Sequence, residues 1–320
     1  TGPMSSYQLD FRVYRRPFRE PLQTAWGRWE VREGILVRLE DAAGKVGFGE
    51  AAPLPAFGTE AVADDRDLLR SFEGRLNSAQ ITSLPGFLPC IGFAITSAVA
   101  DLEGRIRPPA ADPVSAILLP AGRRSLDALA THRSSRCFKW KIGVRDREEE
   151  QAVFKDLAGA LPAGSRLRLD ANGSLAADAF LSWLTLLAGS ECVDYLEQPM
   201  APGHEAFMMK AGREMGIEIA LDESVATPEG LQQMEGAGWS GPLVLKPALG
   251  GDMNQFLETV DRLPNRKVTG SVFETAVGRR AVISIGARLS DEPGGYDTAR
   301  AFPDDGLGAG PPASVWERLG

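Results

Sequence analysis

From residue 114 onward, short apolar or β-branched runs alternate with polar, Ala/Leu-rich stretches of helical period, and from the second run on a polar residue stands at or near the end. The runs are 114–119 (VSAILL), 137–142 (CFKWKI), 166–170 (RLRLD), 193–197 (VDYLE), 217–222 (IEIALD), 242–246 (PLVLK) and 267–271 (KVTGS), with a weaker one at 295–298 (GYDT). Their closing residues Lys141, Asp170, Glu197, Asp222, Lys246 and Ser271 lie roughly 25 residues apart, the length of one strand and one crossover helix. A sustained series of such units either closes into a barrel or fans into a doubly wound sheet. The barrel is favoured, because only there do so many successive strand ends converge on one mouth.

Residues before about 110 follow another pattern. Strand-like stretches at 7–14, 34–40 and 46–50, with a turn at Gly44, precede helical stretches at 60–76 and 90–106. The Pro-rich segment 107–113 (RPPAADP) marks a boundary. The expected organisation is an α+β capping unit over 1–107, a (β/α) barrel over 113–300, and a C-terminal segment over 301–320. That last segment shows neither helical nor strand period and is expected to pack back on the cap.

The polar closing residues suggest chemistry. Asp170, Glu197 and Asp222, in LDANG, LEQP and LDES, offer hard oxygen donors from three directions, a set suited to octahedral Mg²⁺ and equally to Mn²⁺. Taken singly, each could be a helix N-cap. Lys139 and Lys141 lie two apart, so on a strand both face the same side, the barrel interior, with Trp140 opposite. Burial and a like-charged neighbour both lower a lysine pKa, which makes a usable base near neutral pH. Lys246 closes the sixth run, four strands from the second. Two lysines facing each other over a divalent metal fit proton abstraction next to a carboxylate.

KWK, LDANG, LEQP, LDES and LKP, in this order and spacing, resemble the enolase superfamily, muconate-lactonising subgroup, over nearly the whole chain. The resemblance implies a (β/α)7β TIM-like barrel of the α/β class behind an N-terminal α+β capping domain. It further implies that Asp170, Glu197 and Asp222 bind Mg²⁺, that Lys141 is the acid/base, that Lys139 assists it electrostatically, and that Lys246 takes the strand-six position. The cap stretches PLQTAWGRWEVREGILVRLED and GFGEAAPLPAFGTE are most similar to those of o-succinylbenzoate synthases, whose implied reaction dehydrates 2-succinyl-6-hydroxy-2,4-cyclohexadiene-1-carboxylate in menaquinone and phylloquinone synthesis. An N-acylamino-acid (N-succinylamino-acid) racemase, with both lysines as acid/base, is the first alternative; a muconate cycloisomerase is a weaker one. A dipeptide epimerase is disfavoured, because the Asp-x-Asp such enzymes carry on the last strand is here Asp297-Thr298-Ala299. A non-catalytic metal-binding barrel ranks last, since all five catalytic positions are present.

Asn172 flanks a metal ligand, as does Glu223. The backbone N–H groups of Gly270, Ser271 and Val272 could hold a substrate carboxylate or simply make a strand-to-helix turn. The Trp26 to Trp29 stretch could close over a substrate; Glu50 could do the same, though a tie between cap and barrel is the favoured role.

The remaining bulk properties restrict partners. A net charge of −8 gives no electrostatic reason to bind nucleic acid, and no apolar stretch is long enough to span a bilayer. Three scattered cysteines, Cys90, Cys137 and Cys192, point to a reducing compartment, and the start shows no basic run followed by an apolar core, so the cytoplasm is expected. The TGP before Met4 has the look of a cloning remnant. A small-molecule carboxylate is the expected partner, with no obligate protein partner evident.

Overall fold

The computed structural model describes residues 5–24, 27–111 and 113–320; Met4 and the TGP before it, Ala25, Trp26 and the linker residue Asp112 lie outside the described residues. The N-terminal unit begins with a long hairpin, β1 (Ser6–Thr24) and β2 (Gly27–Glu40), whose register shifts between Pro17 and Leu22. β3 (Val46–Ala51) extends the sheet on one side. α1 (Val62–Ser71) leads to β4 (Arg75–Asn77), which pairs with β1 on the other side and gives the order β3-β2-β1-β4. A short α2 (Ser78–Thr82) and α3 (Pro89–Leu102) complete the unit. α3 is buried nearly all round, because β3 presses on one side of it and the barrel on the other. The strands are longer than 7–14 and 34–40 suggest: their outer halves carry charged residues that pair across the hairpin, where hydrophobic period gives no signal.

Seven strand–helix units follow. They are β5 (Ile117–Leu119) and α4 (Arg124–Ala130), β6 (Cys137–Lys141) and α5 (Arg147–Ala160), β7 (Arg166–Asp170) and α6 (Ala177–Leu187), and β8 (Val193–Glu197) and α7 (Glu205–Met215). β9 (Ile219–Ala220) and α8 (Pro228–Ala237), β10 (Leu243–Leu245) and α9 (Met253–Arg262), and β11 (Lys267–Thr269) and α10 (Ala276–Leu289) complete the series. β5 to β9 form one parallel sheet and β10–β11 another, joined by the Leu221–Leu243 bridge. Gly270 bridges to Gly295, and Gly294 to Ser115, so residues 294–295 act as the eighth strand and close the ring. This is a (β/α)7β barrel.

The C-terminal stretch is not without regular structure, as its lack of period suggested: Pro312–Glu317 forms α11. Six residues are too few to display a helical period. Val315 and Trp316 pack with Tyr14 and Leu36 of the hairpin and Val277 of the barrel, and Arg12 donates to the Trp316 carbonyl.

Candidate active site

Parallel register sets the site. Lys141 stands opposite Asp170 across β6 and β7, and Asp170 opposite Glu197 across β7 and β8. Asp222 and Lys246 follow β9 and β10 at the same end of the barrel. All five, with Lys139, line a cavity of about 290 Å³. Its other wall is apolar and comes largely from the N-terminal unit: Leu22, Trp29, Leu54 and Phe57, with Leu118 of β5. Trp29 therefore reaches the site.

The lysines differ sharply. The Lys139 Nζ lies 2.8 Å from both Asp170 Oδ2 and Glu197 Oε1. Burial would lower its pKa, but Asp170, Glu197 and Asp222 together hold it well above the ordinary lysine value. Lys246 donates to Asp222 Oδ2 at 2.8 Å, and although burial opposes its charge the carboxylate raises it too. Lys141 makes no such ion pair among the described residues. Burial lowers its pKa; Asp170 opposes the shift, and the Lys139 charge adds to it. The expected like-charge effect thus falls on one member of the K-x-K pair alone, because the carboxylates neutralise the other.

The acidic side is over-supplied. Burial, then the Asp170 charge, pushes Glu197 up to about 8. Glu197 Oε2, Asp222 Oδ1 and Glu223 Oε2 are buried and find no hydrogen-bond partner among the described residues. Buried anionic oxygens without donors are costly unless a cation meets them. As the side chains stand, no three of the described His, Cys, Asp and Glu residues are drawn close enough to share an ion, since Lys139 and Lys246 hold the inner oxygens. An all-oxygen donor set with unpartnered lone pairs fits a hard divalent cation.

Supporting bonds fix the carboxylates. The Asn172 backbone N–H donates to Asp170 Oδ1 (3.0 Å) and its side chain to Glu223 Oε1 (3.1 Å). Gln198 accepts from the Asp222 and Ser224 amides through Oε1 and donates from Nε2 to the Ser224 hydroxyl. Asn172 and Gln198 both carry positive φ (46° and 34°), backbone strain placed right beside the cavity.

Gly270, Ser271 and Val272 line the cavity, but the anion-binding mode suggested for their amides does not hold. Gly270 N–H donates to Leu245, Ser271 N–H to Gly295 and Val272 N–H to Glu274 Oε1, so barrel closure and the following turn use all three donors. Glu50 ties cap to barrel: it accepts from Tyr14 Oη, the Thr275 amide and hydroxyl, and the Gly278 amide at the start of α10. Two contributors escaped sequence reasoning. Arg168 lies in the barrel floor, ion-paired to Asp194 and Glu292, where its alternation with Asp170 on β7 was the available signal. Apart from Trp29, the apolar cap residues Leu22, Leu54 and Phe57 gave none, since strand and loop positions reveal no facing partner.

Residues 123–292 match the family model described as Enolase C-terminal domain-like, and residues 11–102 match MenC, N-terminal domain. The o-succinylbenzoate synthase of Thermosynechococcus vestitus is 38% identical over 86% of this chain and 87% of its own length. The chain belongs to the o-succinylbenzoate synthase family of the enolase superfamily. The crystal structure of the synthase from Thermosynechococcus elongatus BP-1, complexed with Mg in the active site, superposes with a TM-score of 0.85 at 34% identity, covering 92% of this chain and 94% of that one. An L-Ala-D/L-Glu epimerase from Bacillus subtilis shares the fold, with a TM-score of 0.75 at 16% identity over 92% of this chain and 89% of its own. Membership of the family therefore rests on both halves of the chain, the cap included.

Proposed function

We propose that this enzyme is an o-succinylbenzoate synthase, a hydro-lyase that converts 2-succinyl-6-hydroxy-2,4-cyclohexadiene-1-carboxylate to 2-succinylbenzoate and water in menaquinone or phylloquinone synthesis. The observation that carries this reading is the likeness in the N-terminal unit, joined to a relative that matches across cap and barrel alike. The barrel carboxylates and lysines alone would serve racemases and cycloisomerases equally.

In this reading burial, by lowering the Lys141 pKa, favours the neutral amine, which removes the proton next to the ring carboxylate. The ammonium so formed returns that proton to the departing hydroxyl on the same face, releasing water, and aromatisation drives the step. Lys139 stays charged between Asp170 and Glu197, which disfavours a second ammonium beside it. Lys246, held by Asp222, is a fixed cation opposite the base. Asp170, Glu197 and Asp222 are the residues that would hold Mg²⁺, and Mn²⁺ fits the same donors. Bound there, the ion supplies positive charge against the negative charge that builds on the substrate carboxylate. Asn172 orients Asp170 and Glu223, and Gly270, Ser271 and Val272 give the succinyl chain a surface to lie against. The substrate is a small carboxylate, with no nucleic acid or protein partner required. No described helix is long and apolar enough to cross a membrane, and we place the enzyme in the cytoplasm.

The test is incubation of the protein with Mg²⁺ and the cyclohexadiene carboxylate, following aromatic product by absorbance. Lys141→Ala is expected to lower turnover at least ~10³-fold while Mg²⁺ affinity, measured by calorimetry, stays at the wild-type value. Wild-type turnover in that variant would place the base elsewhere. Lys141 and Lys246, four strands apart across the cavity, are the feature that favours the racemase reading. Fast racemisation of N-succinylamino acids without dehydration would replace the synthase assignment with it.

A further inference from the structure

Arg32 on β2 is buried, with 4% of its surface exposed, yet no carboxylate pairs with it among the described residues. Its guanidinium is spent on backbone carbonyls instead. Nε donates to Val272 at 3.0 Å, Nη1 to Pro53 at 2.7 Å and to Glu33 at 3.0 Å, and Nη2 to Ala52. A buried cation met only by carbonyl dipoles is costly to keep, so its placement needs a reason.

The acceptors supply one. Ala52 and Pro53 immediately precede Leu54 and, three residues further, Phe57, both in the apolar wall that the N-terminal unit gives the cavity. Val272, on the turn after β11, also lines the cavity, as does Phe273 after it. Phe273 has a φ of 65°, a left-handed conformation unfavourable for a residue with a side chain, so that turn must be held from outside. One rigid fork thus joins a cap loop and a barrel turn that both contribute to the cavity lining.

We propose that Arg32 is a positioning residue that fixes the shape of the substrate cavity by clamping the 52–57 loop of the cap to the 270–273 turn of the barrel. It touches neither the carboxylates nor the lysines, so it acts through Leu54, Phe57, Val272 and Phe273. The inference deepens the synthase reading and rests on it for the identity of the substrate. These walls grip the non-reacting part of the substrate, and loss of such uniform binding raises KM while leaving kcat nearly unchanged.

The experiment compares wild type, Arg32→Met and Arg32→Lys by steady-state kinetics with the cyclohexadiene carboxylate, well below each melting temperature, and by hydrogen exchange. Arg32→Met is expected to raise KM about tenfold or more with kcat within about threefold, and to speed amide exchange in both the 52–57 and 270–275 segments. Arg32→Lys keeps the charge but reaches one loop at a time, so its KM falls between the other two; it carries the test if the Met variant fails to fold. A residue needed only for stability would lower the melting temperature and leave the KM of the folded protein unmoved, and that result overturns the proposal. Faster exchange in one loop alone, or a fall in kcat at constant KM, overturns it as well. A wild type that does not turn over this substrate would sink the synthase reading, while the exchange data still decide whether the clamp exists.

Discussion

Glu60 and Asp65 lie close together in the N-terminal unit, and neither forms a salt bridge among the described residues. Glu60 Oε1 caps α3 by accepting from the Cys90 and Ile91 amides, but its Oε2 and both oxygens of Asp65 are buried without a donor. Burial and the Glu60 charge both disfavour a negative charge on Asp65. Burial, then the Glu60 charge, pushes Asp65 up to about 9. An unfolded Asp titrates near ~4, so the folded state keeps a proton that the unfolded chain releases. The associated stability is full below about pH 4, declines as pH rises through the window between about 4 and 9, and is lost above it. Asp65→Asn, whose amide can donate to Glu60 at any pH, is expected to add about 1–3 kcal/mol of stability at pH 8 and to flatten the pH slope. Urea unfolding at pH 6 and pH 8.5 would check this; a variant slope equal to wild type refutes the raised Asp65 pKa. The pair was invisible in the sequence, since Glu60 and Asp65 sit in an ordinary acidic stretch and only the fold buries them. The barrel residues were legible for the opposite reason: Lys141, Asp170 and Glu197 are polar endings on apolar strands, an arrangement that composition alone makes conspicuous.

At the scale of elements, what could be read was whatever a period announces. β7 and β8 begin and end where their apolar runs do, whereas β9 shrinks to Ile219–Ala220 because the chain turns at Asp222 into the 3₁₀ segment Glu223–Val225. β4, α2 and α11 are too short to carry a period at all. The glycines of VGFGE have a packing reason. β3 lies so close to α3 that a Cβ on Gly47 would overlap the Ala98 carbonyl, and one on Gly49 the Ala94 carbonyl. Gly49→Ala should therefore cost about 3 kcal/mol, since backbone cannot yield as a flexible side chain can. Gly159 supplies the contrast: it lies inside α5, and an added Cβ there would meet nothing within 4 Å. Gly159→Ala is expected to stabilise by about 0.5–1 kcal/mol through helix propensity and reduced unfolded-state entropy. Thermal melts of the two variants should move in opposite directions; a neutral Gly49→Ala would mean that β3 and α3 can separate without loss.

Across the whole molecule, the Pro-rich stretch at 107–113 suggests two units, and we propose that boundary for the chain's connectivity, but the packing does not respect it. One continuous apolar core runs from Ile35, Val37 and Phe93 of the N-terminal unit to Trp140, Leu196 and Leu245 of the barrel. Glu50 reaches from β3 to the start of α10, where the Thr275 amide and hydroxyl and the Gly278 amide donate to it, and removing the cap would strand those three donors in a buried seam. The Met253 amide at the start of α9 donates to Thr96 of α3, a second tie across the same seam. Neither unit can therefore open without exposing apolar surface of the other and leaving polar groups unpaired, so the free-energy cost of separating them approaches that of unfolding both. Unfolding is expected as one cooperative transition, with calorimetric and van't Hoff enthalpies in agreement. Glu50→Ala should remove about 3–5 kcal/mol by stranding the buried donors, and its melt should split if the seam is what couples the units. Two resolved transitions in the wild type would show that the shared core does not couple them, and the cavity walls would then be free to separate in the native state.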